Sequence, residues 1–116
     1  MKIRIKGNSL RYRLTKTDME RFAKENYLEE AINFGSQSLV YAIQASTTDE
    51  LTAEFKNNKI ILHVPRSVAG EWATTDRVGF DNRNSDLYLL IEKDFKCLDN
   101  VEEDQSDNFP NPHAIN

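Results

Sequence analysis

The sequence predicts an α+β fold: a mainly antiparallel sheet of six or seven strands, curved or barrel-like, with two short helices. Three observations carry that expectation. Residues 2–14 and 51–64 have the alternation and turn chemistry of β-hairpins. Each is followed by a short helix-like pattern. Two continuous apolar runs, Leu39-Val40-Tyr41-Ala42-Ile43 and Leu87-Tyr88-Leu89-Leu90-Ile91, have the length and content of central strands. Sequential hairpins favour antiparallel pairing.

In the first hairpin, Gly7-Asn8 suits a two-residue type II′ turn. Closing it between Lys6 and Ser9 sets Ile5 against Leu10 and Ile3 against Tyr12. On the other face Arg4 meets Arg11, and Lys2 meets Arg13. A one-residue slip would mix the apolar and cationic sets. Thr15 then reads as a helix N-cap, with Asp18 at the capping-box position. The helix, about 16–25, turns Met19, Phe22 and Ala23 inward, and Asn26 suits its end. A strand follows near 28–34, Gly35-Ser36 breaks it, and the first apolar run makes the next strand.

The second hairpin turns at Asn57-Asn58, which suits type I′ because Asn tolerates positive φ. It pairs Phe55 with Ile60, Ala53 with Leu62, and Leu51 with Val64. Pro65 ends that strand and opens a second helix, about 66–74, with Val68 and Trp72 inward. Val78-Gly79-Phe80 starts another strand. The second apolar run makes the last one, continuing toward Phe95. No internal repeat stands out.

One domain is expected at residues 1–96. Residues 97–116 read as an acidic, proline-containing tail, with Asp99, Glu102, Glu103, Asp104 and Asp107 and no Lys or Arg. Phe109-Pro110-Asn111-Pro112 is extended with one apolar anchor. No apolar run nears the roughly 18 residues of a membrane span, so no membrane partner is expected. The N-terminus lacks the apolar stretch of a signal peptide. Cys97 is the only cysteine. These features point to a reducing cytoplasm.

The first six charged residues are all cations: Lys2, Arg4, Lys6, Arg11, Arg13 and Lys16. They stand in a chain whose formal net charge is −4. The hairpin register gathers Lys2, Arg4, Arg11 and Arg13 on one face, with Lys6 at its edge. Three readings fit. The face meets water, its long stems covering apolar surface. It is neutralised internally by Glu54, Glu92 or the acidic tail. Or it is an anion site for a phosphate, nucleotide, polyphosphate or acidic partner, where Arg suits bidentate contacts. Arg66 and Arg77, which flank the second helix, join that site if the fold brings them near. Nucleic acid is disfavoured, because Tyr12, the one aromatic nearby in sequence, takes the opposite face. The sequence pI near 5.2 also argues against it.

An enzymatic alternative is a metal-dependent, phosphate-processing enzyme of the triphosphate-tunnel kind, with carboxylates at Glu54, Glu92 and Asp94. The alternating Glu-x-Glu-x-Lys strand of those enzymes is absent; Lys-x-Arg-x-Lys stands at the N-terminus. Cys97, His113 and Asp107 fall short of a zinc set, so neither metal nor other cofactor is expected. A Cys97–His63 nucleophile lacks any supporting motif. His63 reads as a half-buried sheet residue and Trp72 as core.

Three stretches, Lys2-Ile-Arg-Ile-Lys-Gly-Asn-Ser-Leu-Arg-Tyr-Arg-Leu-Thr15, Glu92-Lys-Asp-Phe-Lys-Cys-Leu98 and Asp107-Asn-Phe-Pro-Asn-Pro112, resemble a family of small uncharacterised bacterial proteins. The resemblance spans nearly the whole chain. It implies a stand-alone bacterial domain that includes the tail, and it implies no activity. The residues themselves point to a non-enzymatic binding or interaction module that uses its cationic face for an anion or acidic partner.

Overall fold

Strand β1 (Lys2–Lys6) turns into β2 (Ser9–Leu14) and is followed by helix α1 (Lys16–Glu25). A second hairpin follows, β3 (Tyr27–Asn33) and β4 (Ser38–Ser46). The same order then recurs: β5 (Thr52–Lys56), β6 (Lys59–Pro65), α2 (Arg66–Thr74), β7 (Gly79–Asn82) and β8 (Tyr88–Lys93). This is a computed structural model, and it describes residues 1–95, 106–110 and 112.

The turns form where the sequence places them. Gly7 has φ +52°, while Asn57 and Asn58 both have positive φ, as a type I′ turn needs. The first ladder has the predicted register, Lys2–Arg13, Ile3–Tyr12, Arg4–Arg11, Ile5–Leu10 and Lys6–Ser9. Phe55–Ile60 and Ala53–Leu62 pair as read, whereas Leu51 lies just outside the β5–β6 ladder, which begins at Thr52. Around α1 the Thr15 side chain accepts from the Asp18 amide, and Asp18 accepts from the Thr15 amide. Asn26 closes the helix in the left-handed conformation.

The expected single sheet of six or seven strands is corrected. Eight strands make two four-stranded sheets, ordered β1-β2-β8-β7 and β3-β4-β6-β5. Neither closes on itself. Each has a parallel pair at its centre, β2 with β8 and β4 with β6, flanked by antiparallel partners. Turn residues announce a hairpin, but a parallel pair joins strands far apart in sequence and leaves no local mark.

No repeat stands out in the sequence, yet the order of elements repeats. Hairpin, helix, hairpin occurs twice, and each half gives one hairpin to each sheet. Tyr12 of β2 lies beside Ile91 of β8, as Leu62 of β6 lies beside Ile43 of β4. Phe22 of α1 matches Trp72 of α2. The halves share apolar positions and turn sites rather than residue identities, which hides the repeat from a reading of the letters. Their equivalent side chains build one core, where Tyr12, Leu14, Ile43, Leu62, Val64, Trp72 and Ile91 are almost wholly buried.

Of the tail, Asp107 to Phe109 contact the body. The Lys16 amide donates to the Asp107 carbonyl at 3.2 Å, and the Thr17 hydroxyl to its carboxylate at 3.0 Å. The Phe109 amide donates to the Asp94 carbonyl, and its ring meets Phe95 edge-on at 5.9 Å. Asp99, Glu102, Glu103, Asp104, Cys97 and His113 lie outside the described residues. Among the described residues no helix is long and apolar enough to cross a membrane.

Candidate anion site

The outer face of the first sheet carries the cations. Alternation turns Ile3, Tyr12 and Leu14 inward and Lys2, Arg4, Arg11 and Arg13 outward. The parallel pairing then adds a third row, setting Tyr88 beside Ser9, Leu90 beside Arg11 and Glu92 beside Arg13. A shallow hollow of about 230 Å³ opens among Arg4, Lys6, Ser9, Leu10, Arg11, Tyr88 and Leu90.

Part of the face is neutralised from within. Glu92 accepts a hydrogen bond from Arg13 Nε at 2.8 Å. Its same oxygen lies 2.7 Å from Arg11 Nε, a close ion pair whose orientation does not make an aligned hydrogen bond. Asp94 sits 3.1 Å from Lys2 Nζ. Arg4 and Lys6 form no ion pair with any described residue. The hollow therefore presents two uncompensated cations and one shared guanidinium, and no carboxylate lines it.

Arg66 and Arg77 are not brought to this hollow. Arg66 lines a small cleft between the two helices, with Phe22 and Trp72. Arg77 lies over the Phe80 ring at 4.0 Å and pairs with Glu71 at 3.4 Å. It lines a neighbouring hollow of about 420 Å³ whose other charged walls are Asp49, Glu50, Asp81 and Glu92.

Tyr88 is the site residue that sequence reasoning missed. Its run reads as a central strand, but only the long-range β2–β8 pairing puts its ring among the cations. Its hydroxyl donates to Asp81 and accepts from Arg83, both at 3.3 Å, and the Arg83 guanidinium stacks over its ring at 4.6 Å. The Tyr88 hydroxyl, and then Asp81, raise the pKa of Arg83 further.

Of the carboxylates of the enzymatic alternative, Glu92 and Asp94 pair with cations of this face, but none of the three lines the hollow. Glu54 is on the second sheet, 3.0 Å from His63 Nε2. Asp94 is buried, and Glu92 is held by Arg11 and Arg13. Among the described residues no three His, Cys, Asp or Glu side chains are grouped to hold a metal ion. Trp72 is core, its Nε1 donating to the Val78 carbonyl at 3.0 Å.

The model of a family described as "Family of unknown function (DUF7009)" matches residues 1–113. Neither the curated proteins nor the solved structures contain a match.

Proposed function

Because the chain belongs to this family of unknown function, whose description carries no activity, we propose from the geometry that it is a binding module rather than an enzyme. Its hollow between Arg4, Lys6 and Arg11 receives a phosphate-bearing or acidic ligand. One observation carries this reading. The fold uses the same hairpin twice, and the second copy has Glu54 and Ile61 where the first has Arg4 and Arg11. A like-charge cross-strand pair is unfavourable, and the equivalent hairpin has none at this position; its one cationic pair, Lys56–Lys59, sits beside the turn. Arg4 and Arg11 are thus not a requirement of the architecture, whereas Lys6 has a counterpart in Lys56. Internal carboxylates engage Lys2, Arg11 and Arg13 but leave Arg4 and Lys6 available. A bacterial, cytoplasmic setting fits the single cysteine and the sequence motifs.

The test is calorimetric titration with pyrophosphate at low salt, where exposed charges act most strongly. Arg4→Glu together with Lys6→Glu removes binding and removes none of the ion pairs described above, so the melting temperature does not fall. Wild-type protein that ignores pyrophosphate and acidic polymers alike rejects the reading.

A further inference from the structure

We infer that the ligand is a nucleotide: its phosphates lie on Arg4, Lys6 and Arg11, and its base stacks on the Tyr88 ring in the place now held by Arg83. This rests on the anion site proposed above and goes on to specify its ligand class.

The argument starts from Tyr88. It stands beside Ser9, which itself stands opposite Lys6, so ring, hydroxyl and ammonium follow one another across three adjacent strands. Arg11 is one strand across and two residues along from Tyr88, which is about 8 Å between Cα atoms at normal strand spacings. A ribose spans a gap of that order, joining a planar base on the ring to phosphates on the guanidinium. Tyr88 and Arg11 both line the same hollow.

The ring already binds a planar group. The Arg83 guanidinium lies over it at 4.6 Å, but this side chain is 75 % exposed and its bonds to Asp81 and the Tyr88 hydroxyl are long, at 3.3 Å. Such an arm is easily displaced, because exposed pairs of this kind contribute little. A base in its place gains stacking that is tolerant of base identity. Simple phosphate and pyrophosphate make no use of the ring at all. The site is therefore built to distinguish a phosphate attached to a flat heterocycle from a bare one.

Calorimetry with ADP, UDP and pyrophosphate tests this. The wild-type protein binds both nucleotides at least about tenfold more tightly than pyrophosphate, in line with one stacked base. Tyr88→Leu brings ADP down to the pyrophosphate level and leaves pyrophosphate unchanged. Tyr88→Phe keeps the ring and keeps the preference, and Arg83→Ala tightens ADP. Equal affinities of ADP and pyrophosphate for the wild type overturn the nucleotide assignment while leaving the anion site standing. If pyrophosphate and the nucleotides all fail to bind, the nucleotide assignment falls, and the anion site falls with it once acidic polymers fail too.

Discussion

Arg4 and Arg11 stand directly opposite each other in the first hairpin, their side chains on the same outer face. Two guanidinium groups so placed repel each other, by a few tenths of a kcal/mol up to about 1 kcal/mol. Of these two, Glu92 approaches only Arg11. Arg4→Thr should therefore raise the melting temperature by a few degrees while weakening pyrophosphate binding. Thermal melts and titration of one sample check both. A fall in the melting temperature would show that Arg4 is packed rather than strained.

Glu92 holds two arginines with one oxygen. Glu92→Gln frees Arg11 and Arg13 for a ligand and leaves their repulsion unscreened. Pyrophosphate affinity should rise several-fold as stability drops by about 1 kcal/mol. Unchanged affinity would mean that these two guanidiniums take no part in binding.

Asp18 contributes to stability in a way that depends on pH. Burial alone would raise its pKa. The hydrogen bonds from the Met1 ammonium, at 2.8 Å, and from the Thr15 amide outweigh that effect and hold it below its usual 3.8. The Asp18 contribution is thus present above about pH 4 and disappears as pH falls through the lowered folded value. For the Met1 ammonium, burial lowers the pKa but Asp18 and Glu30 raise it above 8.0 overall. That contribution is full below pH 8 and is lost as pH rises through the raised folded value. Asp18→Asn should flatten both ends of a curve of melting temperature against pH. An unaltered curve would place the titrating groups elsewhere.

Gly79 opens the edge strand β7 against β8. A Cβ there would run into the Ile91 carbonyl oxygen and the Glu92 Cα and Cβ. Since most of those atoms are backbone, no rotamer relieves the contact. Gly79→Ala should cost about 1–3 kcal/mol, measured by urea denaturation. A cost below a few tenths would show that β7 shifts freely.

The two halves exchange hairpins between sheets, so neither completes a sheet alone. Fragments 1–49 and 50–116 should each lack a cooperative thermal transition, and mixing them should restore one in circular dichroism. Independent cooperative melting of either fragment would contradict the interlocked arrangement.

Local chemistry was legible residue by residue. Gly7 and the Asn57-Asn58 pair set two turns, and each turn fixed a register because a one-residue slip would have reversed the faces. Thr15, Asp18 and Asn26 bounded α1. The cationic face followed from the first of those registers without any tertiary knowledge. The last strand was also legible, yet its neighbour was not, and this is why Tyr88 went unseen as part of the site.

The sequence by itself determined the hairpins, the helices and the side of the first hairpin on which the cations stand, because turns, caps and alternation act over a few residues. Only the tertiary structure decided that β2 lies beside β8 and β4 beside β6, that two sheets form instead of one, and that Arg66 and Arg77 stay apart from Arg4. Those pairings are chosen by the shared burial of Tyr12, Ile43, Leu62 and Ile91, a collective property of the core that no short stretch of chain encodes.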